Sequence, residues 1–387
     1  MDAKLNAIIE SMHDEMIDTL QKWIRVPSVK GEAAPGAPFG KEVRSMLDMA
    51  LADCEQMGFK TQNFDGYIAH ADLGEGSDED ALAILAHLDV VPEGDGWKYP
   101  PYGAVIENGR MYGRGTSDDK GPAVAALYAM KAVKDAGIPL RRKVRLILGC
   151  DEESGWEDIA HYNKVATMPR IGFSPDASYP IINIEKGICR LELHGVLSNE
   201  GLQVIAFNNG ERPNVIPGRA SALVVGDAAT VAQAEAAAKK LDIPAEVQLT
   251  DKGVSITVTG ISGHAAYPET ARNANGEMLL LLRELGVQGD LCLLADKIGL
   301  DYKGEGLEIS VSDGISGYLT CNLGIIRAGE GGVYATLDIR YPVMTNPDMI
   351  IKNVSASLPG MRVDAMEVKE PHHVPAGSEL VQNLLDA

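Results

Sequence analysis

Three short stretches of this chain gather the side chains able to do chemistry. HLD carries His87 and Asp89, SDDKGP carries Asp118 and Asp119, and DEESG carries Glu152 and Glu153. Five carboxylates and one imidazole brought to one place repel one another strongly unless cations neutralise them. Imidazole nitrogen and carboxylate oxygen are donors that suit zinc, and manganese or cobalt as well. The chemistry implied is a metal site.

What must bring these stretches together is a strand–helix–strand crossover. The runs Ala81–Pro92 and Val144–Gly155 are short and aliphatic, as expected of strands buried on both faces of a parallel sheet. Between them GPAVAALYAMKAVKDAGIP reads as an amphipathic helix, with Pro122 in its first turn and Gly137 and Pro139 at its end. Each acid then falls at the carboxyl edge of the sheet, where open α/β folds bind ligands.

At 387 residues the chain is expected to form two domains, and its net charge of −20 argues against nucleic acid or an anionic membrane as partner. No apolar run is long enough to span a bilayer, and the N-terminal stretch does not read as a signal peptide. The five cysteines form no metal or disulfide pattern and read as reduced core residues, Cys150 among them, which places the protein in the cytoplasm.

In chain order, Leu5–Trp23 and Glu42–Met57 predict helices and Phe59–Leu73 one or two strands; the segment from Gly31 to Gly40 predicts an exposed loop near the acidic edge. Short β-like runs flank Asp176. After Gly187 the pattern changes to strands with an alanine-rich helix at Ala228–Leu241, a second helix at Asn275–Leu285 and a hairpin around Ala328-Gly-Glu-Gly. That mixture predicts a separate α+β domain.

HLDVVP, GRGTSDDKGP, DEESG and FSPDASYPIINIEKG, in this order and spacing, resemble the metallopeptidase family of aminoacylases, carboxypeptidase G, succinyl-diaminopimelate desuccinylase and bacterial dipeptidase V. The DDKGP and SPDASYPIINIEKG forms are most similar to the dipeptidase V (PepV-type) branch. The resemblance implies two zinc ions per subunit bridged by one aspartate. Carried over, His87 and Asp176 bind one, Glu153 binds the other, and Asp118 bridges. Asp89, which strand alternation places on the same face as His87, supports the imidazole. Glu152 becomes the general base that takes a proton from the attacking water and passes it to the leaving amine.

Beyond the metal edge, the resemblance implies that His264, in GISGHAAYPETARNA, contacts the substrate carbonyl oxygen. It likewise implies that Asn214, in RPNVIPGRA, and Arg340, in TLDIRYPV, bind the substrate carboxylate. The remaining histidines, including the pair His372-His373, read as structural or surface residues. PepV-type chains continue past the point where this one stops, with a last zinc-binding histidine, so the sequence reads as C-terminally truncated. It is therefore expected to hold one zinc firmly and to turn over slowly.

The expected molecule is an α/β protein. A zinc-peptidase-like catalytic domain, residues 1–187 with 371–387 returning to it, has a mostly parallel central sheet with helices on both faces. An inserted α+β lid, residues 188–370, is ferredoxin-like and duplicated, so that the chain acts as a monomer with His264 in cis. The expected reaction is hydrolysis of dipeptides with a free N-terminus, small peptides being the partners. Deacylation of N-acyl amino acids by the same site is the alternative. From another class, a truncated, non-catalytic binding protein on this fold is the third reading.

Overall fold

A computed structural model describes residues 3–386 and divides the chain into two compact units. The first comprises Met1–Ile181 with Gln382–Ala387, and the second Ile182–Val381. The boundaries at 187 and 370 expected from sequence are thus displaced in opposite directions. A two-residue pairing of Ile184–Glu185 with His372–His373 keeps both connecting segments with the second unit.

The first unit is built on a five-stranded sheet. Its strands are β1 (Lys60–Phe64), β2 (Ile68–Leu73), β3 (Leu82–His87), β4 (Val144–Gly149) and β5 (Ile171–Phe173), in the order β1-β2-β4-β3-β5. β3 runs parallel to both β4 and β5, whereas β2 runs antiparallel to β1 and β4. β1 and β2 form the hairpin that Phe59–Leu73 foreshadowed, turning at Asp65 and Gly66, both with positive φ. The helices are α1 (Ala3–Ser11), α2 (His13–Ile24), α3 (Lys41–Gln56), α4 (Lys120–Asp135) and α5 (Glu157–Val165).

Leu5–Trp23 was expected as one helix and is two. The Met12 amide turns back to the Ile9 carbonyl, tightening the turn there, and the Met12 side chain is buried. The crossover helix α4 buries Ala123, Leu127 and Met130 with Val124 and Tyr128, a spacing that keeps one face on the core. It stops at Gly137, whose φ of 68° a side chain would resist. Leu146 and Leu148 of β4 and Ile84 and Ala86 of β3 meet that face, so the two strands that lead to the acids are fixed by the core itself.

The second unit carries an eight-stranded, wholly antiparallel sheet. Its strands are β6 (Gly187–Gly195), β7 (Val204–Asn209), β8 (Arg219–Val224), β9 (Ala245–Thr250), β10 (Gly253–Thr259), β11 (Thr320–Gly329), β12 (Gly332–Tyr341) and β13 (Arg362–Lys369). They lie in the order β9-β10-β8-β7-β11-β12-β6-β13. The half β13-β6-β12-β11 has the strand order of a ferredoxin-like unit, and β9-β10-β8-β7 has the same order with the chain circularly permuted. The two halves join edge to edge through β7 and β11. The duplicated arrangement expected from sequence is present.

Helices α6 (Ala228–Leu241), α7 (Ala274–Glu284), α8 (Asp290–Lys297) and α9 (Pro347–Ser357) belong to this unit. The last two were not expected. Yet Asn346 caps α9 through the Asp348 amide and Pro347 occupies its first turn, a start signal legible in the sequence. The core of the unit runs from Leu191 and Leu193 through Ile256 and Leu281 to Leu337.

Candidate metal centre

β3 ends at His87, which is 3% exposed. Its strand is extended by a cross-brace: the Leu88 amide donates to Gly149 (2.9 Å), Ser28 Oγ donates to the Leu88 carbonyl (2.6 Å), and the Val90 amide donates to Ser28 (3.0 Å). His87 Nδ1 lies 2.9 Å from the backbone carbonyl of Asp89, an acceptor only. Nδ1 therefore carries a proton, and Nε2 is the ring nitrogen that faces the carboxylates. Nε2 is 3.0 Å from Asp118 Oδ1, 3.4 Å from Asp176 Oδ2 and 3.8 Å from Glu152 Oε2.

The side chain of Asp89 does something that sequence did not suggest. Its Oδ1 accepts the amide of Glu152 (3.2 Å) and its Oδ2 the amide of Glu153 (3.1 Å), so it holds the acid pair while its main chain aims the imidazole. The two preceding amides, Cys150 (2.7 Å) and Asp151 (3.1 Å), both donate to Oδ2 of buried Asp158. Four consecutive amides are thus each accepted by a buried carboxylate. Gly149 makes this possible, since a Cβ there would stand 2.7 Å from Asp158 Oδ2. Asp151 in turn accepts Lys30 Nζ at 2.7 Å. Asp151, Asp158, Lys30 and Ser28 were all missed from sequence, where each reads as an ordinary polar residue.

Asp118 and Asp119 immediately precede α4, through a cis peptide bond. Asp119 is fully buried: Oδ2 accepts the His87 amide at 3.0 Å, while Oδ1 has no partner among the described residues. Lys120 is also buried and donates to the carbonyls of Trp23 (3.1 Å) and Val26 (2.8 Å), tying this loop to the end of α2.

Burial, with Asp176 and Glu153 nearby, pushes the Glu152 carboxyl up to about 7, and burial pushes Asp119 to about 7. Glu153 is raised for the same reason, with the Asp118 charge also opposing its ionisation. Burial alone would lower His87, but its contacts with Asp118, Asp176 and Asp89 outweigh it and raise the imidazole. These are the signs of an acidic cluster short of positive charge.

The donor set fits divalent cations. Ligand atoms of His87, Glu152 and Asp176 lie within 4.8 Å of one another, as do those of His87, Asp118 and Glu153. Asp119 Oδ1 remains a buried acceptor beside them. The structure brings all the expected ligands together, and it places Glu152 within 4.8 Å of His87 and Asp176 as well.

In the second unit His264 pairs with Val215 across a short antiparallel bridge, and the Ala265 amide donates to the Asn214 carbonyl at 3.0 Å. His264 Nδ1 accepts the Ala266 amide (3.2 Å), which puts the ring proton on Nε2. Burial and the Arg340 charge lower its pKa. Arg340 is not a free strand-surface charge: Nε and Nη2 grip Asp338 at 2.6 and 3.2 Å, and Arg190 Nε shares that carboxylate at 2.8 Å. The three residues expected to meet substrate from this unit therefore sit on neighbouring elements. His372 and His373 are strand-paired, and all five cysteines are free, Cys150 being buried with its thiol pushed well up. Among the described residues no helix is long and apolar enough to cross a membrane.

Comparison with known proteins bears on all of this. Residues 83–357 match the model of peptidase family M20/M25/M40. The chain is 38% identical over 394 residues to the putative dipeptidase YtjP of Bacillus subtilis, covering 97% of this chain and 83% of that one. It is 33% identical over 399 residues to a Beta-Ala-Xaa dipeptidase of Lactobacillus delbrueckii subsp. lactis, covering 100% and 84%. Among solved structures it resembles human carnosine dipeptidase 1, with a TM-score of 0.52 at 16% identity over 98% of this chain and 83% of that one. The Saccharomyces cerevisiae dipeptidase Dug1p gives 0.51 at 15%, over 98% and 82%.

Proposed function

The chain belongs to peptidase family M20/M25/M40, and from that premise we propose that this metallopeptidase is a zinc-dependent dipeptidase acting on dipeptides with a free N-terminus. The observation that carries the reading is the carboxyl edge of the first sheet, where His87 Nε2 faces three carboxylates within 3.8 Å and, among the described residues, no lysine or arginine is bonded to any of them.

His87 and Asp176 would hold one zinc, Glu153 the other, and Asp118 would lie between them. Bound there, the ions would lower the pKa of the attacking water and polarise the scissile carbonyl. Glu152 takes a proton from that water as its oxygen bonds to the carbonyl carbon. It then delivers the proton to the amine nitrogen as the C–N bond breaks, leaving two amino acids. Asp89 supports this by fixing the amides of Glu152 and Glu153, so the base does not swing away.

His264 donates from Nε2–H to the carbonyl oxygen as charge grows there, its other nitrogen being occupied by the Ala266 amide. Asn214 and Arg340 bind the substrate carboxylate, Arg340 through the guanidinium edge that Asp338 leaves open. On this reading the protein is a cytoplasmic monomer with His264 acting in cis. A panel of dipeptides, β-alanyl ones included, assayed against N-acetyl amino acids with defined metals tests it. Dipeptides should be cleaved and the blocked amino acids spared; preference for the blocked compounds would transfer the site to the deacylases.

A further inference from the structure

Three buried asparagines in the second unit are not explained by packing. Asn322 and Asn275 are fully buried and Asn273 is 1% exposed. Asn322, on β11, uses every hydrogen-bonding valence of its amide that matters here. Its Nδ2 donates to the carbonyls of Pro213 (2.9 Å) and Val215 (3.0 Å), the residues on either side of Asn214. Its Oδ1 accepts Asn273 Nδ2 at 2.8 Å. Asn273 in turn caps α7, its Oδ1 accepting the amides of Asn275 (2.9 Å) and Gly276 (3.2 Å).

The chain of bonds thus runs from a helix start, through two side-chain amides, to the loop that carries Asn214. From there it passes to His264, because Val215 pairs with His264 and the Asn214 carbonyl takes the Ala265 amide. Close approach is built in as well: a Cβ at Gly324 would lie 2.4 Å from the Pro213 carbonyl, so only glycine lets the loop reach Asn322. Directly across the β11–β12 ladder from Asn322 stands Asp338, fully buried and gripping Arg340. Directly opposed residues share a face of the sheet.

We infer that Asn322 is a positioning residue: it clamps the Pro213–Val215 loop so that Asn214 and His264 are held ready for substrate beside the Arg340 that its cross-strand neighbour Asp338 holds. This rests on the dipeptidase reading for what those residues do, but the clamp itself stands on the bonds described. A buried amide that donates twice to main-chain carbonyls is costly to replace, because both acceptors would be left unpaired away from water.

Asn322→Asp keeps the volume and turns a donor into an oxygen facing two carbonyls. In dipeptide hydrolysis kcat/KM should fall by about tenfold or more. In a His264→Ala background the same substitution should cost clearly less than in the parent, since one of the two groups it misplaces is already gone. Equal losses in both backgrounds, or none in the first, would overturn the inference, because a merely structural role lowers both alike. Bound metal should be unchanged in all four proteins. A second readout needs no turnover: the His264 Cε1–H resonance, assigned with the His264→Ala variant, should shift in Asn322→Asp. If the parent protein cleaves no dipeptide, the substrate reading fails while this spectrum still decides the clamp; a folded variant with an unmoved His264 signal rejects it. Should Asn322→Asp not fold, Asn322→Ala, which leaves the carbonyls unpaired without opposing them, takes the same two measurements with the same criteria.

Discussion

One strand of the first unit, Val144–Gly149, connects two polar clusters that answer the same problem in opposite ways. Near its start, Arg145 grips Asp72 with two bonds (2.7 and 2.8 Å) and reaches Asp78 at 2.8 Å; Lys143 bonds Asp78 and lies 3.3 Å from Asp72. His70 completes the group with Tyr162, 2.9 Å from its Nδ1. Two acids face two bases, and the charges close. Past its end, Asp89, Asp118, Asp119, Glu152, Glu153 and Asp176 surround one imidazole. That imbalance, not burial or acidity alone, marks the functional end of the strand. A cluster that neutralises itself holds the fold; one that does not must be completed from outside.

Removing the outside charge should have the largest effect. A strong chelator should abolish hydrolysis and lower the melting temperature, and added zinc should restore both. An unchanged melting temperature after verified metal loss would mean that the acidic edge stands by itself and the contrast is false.

Within the acidic edge the two neighbouring glutamates should separate. Glu152→Gln should cut turnover by at least about 10²-fold, the scale of general-base catalysis, with bound metal retained. Glu153→Ala should instead lose metal. Equal metal loss in both variants would overturn the division of roles.

At the balanced end the effects should fall on stability alone. Arg145→Met strands Asp72 and Asp78 beside Lys143 only, and should destabilise by about 3–5 kcal/mol in denaturant titration, with metal content unchanged. Loss of metal in this variant would show the two clusters to be coupled.

The smallest effect concerns His70. Burial, and then Arg145, pull its pKa from 6.5 down to about 4, with Asp72 and Asp78 opposing and Lys143 assisting. The folded protein thus refuses a proton that the unfolded chain accepts. His70 therefore costs nothing above pH 6.5 and progressively more as pH falls from there toward 4, reaching about 3 kcal/mol. Acid-limb stability of a His70→Asn variant should be flatter over that window; identical slopes would place the titration elsewhere.

The contrast also explains what could be read from sequence. HLD and DEESG stand at the ends of aliphatic strand runs and SDDKGP at the start of the crossover helix, so the strand–helix–strand pattern carries them to one edge, and Asp176 follows a third strand there. Asp158 and Asn322 act through bonds to main-chain groups of other segments, and no spacing encodes a partner 8 or 109 residues away. Asp89 was legible as a supporting acid, but the support goes to the amides of Glu152 and Glu153 more than to the imidazole. Arg145 was read as one residue of an apolar run, because its neutralising acids lie on another strand and in a turn. The displaced domain boundaries have a similar origin, a two-residue pairing too short to leave a pattern.

The most direct test is an anomalous difference map at the acidic edge from crystals grown with zinc. The strongest signal should lie among His87, Asp118 and Asp176, with any second site on the Glu153 side of Asp118, and none beside Asp72 and Asp78. Zinc held elsewhere, with the carboxyl edge empty, would contradict the assignment of that edge as the metal centre.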